Sequence, residues 1–141
     1  MHDILQQQFK EEVTRLGVKE LRTPQDVDAV LANAGTTLVF VNSVCGCAGG
    51  IARPALALSL GNTVKPDAVT TVFASADREA TARARSYFTN MPPSSPSFAM
   101  LRDGKLVDMI HRSEIEISSP QEIAQRLKDL FDKYCVTVPQ Q

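Results

Sequence analysis

Two thiols separated by one glycine, Cys45-Gly46-Cys47, are the residues of this 141-residue chain best suited to chemistry. A thiolate attacks sulfur, and its fraction at neutral pH rises wherever the surroundings lower the thiol pKa. The flanking string offers such surroundings. Val39-Phe40-Val41-Asn42-Ser43-Val44 reads as a strand buried on both faces, and Ile51, Ala52, Ala55, Leu56, Leu58 and Leu60 then recur at roughly helical spacing. The cysteines therefore sit where a strand turns into a helix, and the free amides and dipole of that helix start stabilise a thiolate on Cys45. Cys47, two positions on, points to nearly the opposite side. An intramolecular Cys45–Cys47 disulfide thus needs a distorted backbone, which Gly46 permits. Gly49 and Gly50 are expected to leave room beside Cys45 for a peptide or small-thiol substrate.

The elements that must position this pair follow from patterning. Ile4, Leu5, Phe9, Val13 and Leu16 form one face of an N-terminal helix ending at Gly17, and Val18 to Leu21 suits an edge strand. Thr23-Pro24-Gln25-Asp26 opens a second helix, with Val27, Val30 and Leu31 facing inward as far as Gly35. The central strand spans 36–41. Pro54 falls inside the cysteine helix and is expected to kink it, while Arg53 is either a charge near the site or a solvated one. Ala68 to Ala74 is the next strand, and Asp77 suits the cap of a helix running to about Phe88. The prolines and serines from Asn90 to Pro96 exclude regular structure. Ser97 to Arg102 and Lys105 to His111 form a hairpin through Asp103-Gly104. Ser119-Pro120-Gln121-Glu122 caps a last helix whose buried face is Ile123, Leu127, Leu130, Phe131 and Tyr134. This order demands a mixed α/β sheet with helices on both faces, in one domain over residues 1–141.

Composition removes several classes. The formal net charge is −1 and no basic cluster occurs, so neither nucleic acid nor a membrane surface is an expected partner. The first eight residues lack the pattern of a secretory signal and no stretch suits a bilayer span, so a cytoplasmic protein is expected. Three cysteines do not make a secreted disulfide framework. Cys135 reads as a small buried hydrophobe, a reserve thiol or intermolecular bridge being the other reading. His2 and His111 lie outside ligand spacing with Cys45 and Cys47, so no metal site and no cofactor are expected.

Cysteines at the end of a central strand, with a proline just before a hairpin, resemble the thioredoxin fold. The string from Val41 to Ala48, then Arg53-Pro54-Ala55, Pro93-Ser94-Ser95-Pro96-Ser97 and Phe131-Asp132-Lys133-Tyr134-Cys135, resembles the bacilliredoxin family, whose members carry a Cys-Gly-Cys site. The likeness covers almost the whole chain and implies a thioredoxin-like domain with an added N-terminal helix. It also implies an oxidoreductase that removes bacillithiol, or a similar low-molecular-weight thiol, from S-thiolated proteins. In that reading Cys45 attacks, Cys47 is the candidate resolving thiol and Pro96 is a cis-proline facing the site. Gly46, Ser95 and Pro96 contact substrate, and the Ser95 backbone is free to pair with an extended chain. After the hairpin, relatives tend to read Arg-His-Glu-Ile-Glu-Gly where this chain has Arg112 to Ile117, and Ser113 receives no role. Disulfide isomerase or reductase activity is the neighbouring alternative. A non-enzymatic carrier holding a metal ion or iron–sulfur cluster on the Cys-Gly-Cys pair is an alternative of another class.

Overall fold

The computed structural model describes residues 2–135. Met1, residues 136–141 and the side chains of His2 and Asp3, all within the expected domain, lie outside the described residues, and so does the expectation placed on His2. The chain runs α1 (His2–Thr14), β1 (Lys19–Glu20), α2 (Pro24–Leu31), β2 (Thr36–Asn42), α3 (Arg53–Ser59), β3 (Ala68–Phe73), α4 (Arg78–Arg85), β4 (Ser97–Arg102), β5 (Lys105–Ile110), α5 (Arg112–Ile115) and α6 (Pro120–Tyr134). The five strands form one sheet in the order β1-β3-β2-β4-β5. β1 and β2 each pair with β3 in parallel, whereas β2–β4 and β4–β5 are antiparallel.

β2 lies at the centre because every one of its residues is buried. Its alternation still divides the core. Leu38 and Phe40 face one side with Leu56 of α3 and Ile123, Leu127 and Phe131 of α6, and Val39 and Val41 face the other with Leu31 of α2 and Ala80 and Ala84 of α4. The expected helices on both faces are thus present. Phe40 and Phe98 stack across the β2–β4 ladder with ring centroids 4.7 Å apart, a favourable cross-strand aromatic pair. Asp103 and Gly104 both have positive φ, +53° and +80°, as a two-residue hairpin turn of this hand requires. The Thr23 hydroxyl accepts from the Asp26 N–H at 3.1 Å and the Ser119 hydroxyl from the Glu122 N–H at 3.1 Å, so both expected caps form.

Several expectations are corrected. Ile4, Leu5 and Leu16 are exposed, and only Val13 of the expected α1 face enters the core. α1 is held mainly by polar contacts instead: the Lys10 ammonium lies 2.8 Å from Asp77 and 3.2 Å from Glu20. That pairing removes Asp77 from capping duty, and α4 begins with no side-chain cap and ends at Arg85 rather than near Phe88. A short helix, α5, follows β5 where no helix is expected. Its signal is local: Glu114 accepts from the His111 N–H at 2.9 Å, the return half of a capping box.

Candidate active site

The end of β2 is fixed before the cysteines are reached. Arg53, only 5% exposed, turns back from α3 and donates through Nη1 to Asn42 Oδ1 and to the Ser43 carbonyl, both at 2.9 Å. Its Nε donates to Glu12 at 2.7 Å, and its guanidinium lies 4.4 Å from the Phe9 ring centroid. Arg53 is therefore neither a solvated charge nor a group facing the thiols; it ties α1, β2 and α3 into one joint. A side-chain β-carbon at Gly49 would stand 2.8 Å from Arg53 Nη2. The space left by Gly49 is thus filled by the arginine rather than kept for substrate, while Gly50 borders open space.

Helical backbone begins at Gly46 and widens into a π-helical turn over Ala48–Ala52, closed by the Arg53 N–H donating to the Ala48 carbonyl. Pro54 is the physical reason. It has no N–H to donate and its ring crowds the carbonyl four residues back, so the extra residue of a π turn relieves what a regular α-helix would strain. The expected kink is thus a widened turn. With both thiols free, Gly46 has no positive φ, and an added β-carbon there would meet nothing within 4 Å. Gly46 contributes an open flank.

Cys45 stands at the N-cap of this helix, its carbonyl accepting from the Ala48 N–H at 3.1 Å. The buried Ser43 hydroxyl donates to Cys45 Sγ at 3.3 Å, and the Cys45 N–H reaches Ser43 Oγ at 3.4 Å. Because that oxygen already receives the amide, its proton is directed at sulfur. Partial burial pushes the Cys45 pKa up, but the Ser43 hydroxyl, the Ala48 and Cys47 amides and the Arg112 charge together outweigh it and hold the thiol below its ordinary value. Cys47 is partly buried as well, but it packs against the α3–α6 side of the core. Cys45, Cys47 and Cys135 are all free thiols. Cys135 is buried, and that burial pushes its pKa up.

Ser95–Pro96 is a cis peptide. Val41 pairs with Ser97 in the antiparallel β2–β4 ladder, so the residues before Ser97 run alongside those after Val41, which brings Ser95–Pro96 beside the Ser43–Cys45 turn. The Ser95 carbonyl accepts from Arg112 Nη1 at 3.3 Å, which leaves one of its two lone pairs open to a further donor. Among the described residues, no three His, Cys, Asp or Glu side chains converge to hold a metal ion. A cavity of about 340 Å³ lined by Leu16, Val18, Leu60 and Pro66 opens at the opposite end of the sheet, away from the thiols.

A family model described as disulphide isomerase matches residues 1–135. A bacilliredoxin of Geobacillus kaustophilus is 54% identical over 138 residues, covering 98% of this chain and 95% of that protein. The chain belongs to the bacilliredoxin family. A bacilliredoxin of Halalkalibacterium halodurans is also 54% identical, over 135 residues, covering 96% of this chain and 92% of that protein. Among solved structures, a thioredoxin variant of Halobacterium salinarum superposes with a TM-score of 0.59 at 21% identity, covering 86% of this chain and 93% of its own. Fasciola hepatica thioredoxin gives 0.58 at 19%, covering 83% and 99%. The fold is thioredoxin-like. Bacilliredoxin membership and this fold together support a thiol–disulfide oxidoreductase.

Ser43, Arg53 in its buried role and Arg112 are the site residues that sequence reasoning missed. Only Arg53 left a readable signal, a glycine four positions before it on a helix that has little other need of one. For Ser43 the expected test is kinetic. Ser43→Ala removes a hydroxyl that stabilises the thiolate, so the midpoint of Cys45 alkylation against pH moves upward and the rate at neutral pH falls about fivefold, the equivalent of one hydrogen bond. An unmoved midpoint would show that the amides and Arg112 suffice without the serine.

Proposed function

We propose that this protein removes bacillithiol, or a similar low-molecular-weight thiol, from mixed disulfides on cytoplasmic proteins, with Cys45 as nucleophile and Cys47 as a slow resolving thiol. The observation carrying this reading is Cys45 itself, partly buried at a helix N-cap with its thiol pKa held down by a hydroxyl, two amides and a guanidinium. In the first step the Cys45 thiolate attacks the small-thiol sulfur of the adduct. The old S–S bond breaks, a Cys45 mixed disulfide forms, and the protein thiolate leaves and takes up a proton. One disulfide is exchanged for another, so Cys45 is oxidised as the substrate cysteine is reduced. A second thiol then clears Cys45: attack by Cys47 on the Cys45 sulfur releases the small thiol and leaves a Cys45–Cys47 disulfide, whereas attack by a thiol from solution on the small-thiol sulfur frees Cys45 and carries the disulfide away.

The test is intact mass spectrometry of the reduced protein mixed with a panel of S-thiolated protein substrates. The expected result is transfer of the small thiol's mass to Cys45 and recovery of the bare substrate. Reactivation of a scrambled multi-disulfide substrate, with no small-thiol mass on Cys45, would replace this reading with disulfide isomerisation.

A further inference from the structure

The loop entering β4 is gripped by guanidinium groups from both sides. Arg85 of α4 donates through Nη2 to the Ser94 carbonyl at 3.2 Å, and Arg112 of α5 donates through Nη1 to the next carbonyl, that of Ser95, at 3.3 Å. The strand register sets these carbonyls beside the Ser43–Cys45 turn. An extended polypeptide that paired with the Ser95 carbonyl would share this acceptor with a guanidinium. The surface beside it is cationic. Arg112 is 46% exposed, and its one carboxylate contact among the described residues, Nε to Glu116, is long at 3.4 Å. Glu114 on the same helix does not compete, since it is committed to Arg126 at 2.8 Å and to the His111 N–H at 2.9 Å. Three of the five guanidinium N–H groups, both on Nη2 and the second on Nη1, make no hydrogen bond among the described residues.

We propose that Arg112 is a specificity-determining residue that binds a carboxylate on the small-thiol half of the mixed disulfide. A planar guanidinium with free donors suits a carboxylate, and the small thiol anchored there presents its own sulfur, rather than the protein's, to Cys45. The outcome of attack is then fixed: the small thiol stays on Cys45 and the protein sulfur leaves as a thiol. The inference rests on the reading of Cys45 given above and adds which adducts it prefers.

The experiment uses one protein bearing a single reactive cysteine, loaded in turn with glutathione, which is net anionic, with mercaptoethanol, which is neutral, and with cysteamine, which is cationic. Single-turnover transfer to the wild-type protein, Arg112→Gln and Arg112→Lys is followed by mass spectrometry. The wild type is expected to favour the anionic adduct. In Arg112→Gln the ratio of glutathione to cysteamine transfer falls about tenfold, as an attraction for one adduct and a repulsion of the other are lost together at a half-exposed site. Arg112→Lys restores most of the ratio. An unchanged ratio, including equal slowing of all adducts, would overturn the role of Arg112 while leaving Cys45 as nucleophile. Failure of every adduct to reach wild-type Cys45 would overturn both.

Discussion

Cys45→Ser is expected to abolish single-turnover release of a small thiol from a protein substrate, a loss of at least about a thousandfold, because the nucleophile itself is removed. Cys47→Ser is expected to retain that first turnover and to accumulate the Cys45 adduct. The asymmetry comes from geometry. The Cys45 thiol is at the cap with its sulfur among donors, whereas Cys47 lies in backbone that is already helical and packs toward the core. For Cys47 to reach a disulfide on Cys45 the first turn must unwind around Gly46, so an added thiol should resolve the adduct faster than Cys47 does. Quenched samples analysed by mass spectrometry separate these steps. Equal loss of the first turnover in both variants would mean the two thiols act as a unit from the start, and the single-nucleophile scheme would be abandoned.

The features legible in the sequence are those set by near neighbours in the chain. The caps at Thr23 and Ser119 and the Asp103–Gly104 turn are each decided by a few adjacent residues, and each forms as its residue types dictate. The placement of the cysteines after β2 was legible for the same reason, as an apolar run meeting a helical repeat. What escaped was decided at long range. Asp77 has the composition of a cap, but Lys10, 67 residues away, takes its carboxylate. Arg53 reads as either a charge near the site or a solvated one until Glu12, 41 residues earlier, and the end of β2 are folded against it. The π turn was hidden because Pro54 announces only that a regular helix fails, not which irregularity replaces it. Ile4 and Leu5 have helical spacing, yet burial depends on a surface to cover, and α1 meets the sheet through Val13 and its polar side chains instead.

Arg53→Met is expected to destabilise the fold by about 3 kcal/mol, the scale of a buried charge-assisted network lost from one side. The substitution keeps an apolar stem but leaves the Ser43 carbonyl without its arginine donor, removes a bond to Asn42 and ends the contact with Phe9. Glu12 suffers less, being 44% exposed and able to return to water. For a chain of this size the melting temperature should fall by roughly 10 °C. Gly49 supplies the control that separates the joint from a general packing loss. Gly49→Ala alone sets a β-carbon 2.8 Å from Arg53 Nη2 and should destabilise by about 1–2 kcal/mol, despite alanine's better helix propensity. In the Arg53→Met background that clash is relieved, and the same substitution should be neutral or stabilising by up to about 1 kcal/mol. Urea denaturation of the four proteins in the cycle gives the coupling. Additive effects, or a loss below about 1 kcal/mol for Arg53→Met, would show that the guanidinium fills the joint without holding it. If the coupling is found, the Cys45 alkylation profile of Arg53→Met should also move upward in pH, because Ser43 aims its proton at sulfur only while its own backbone is pinned.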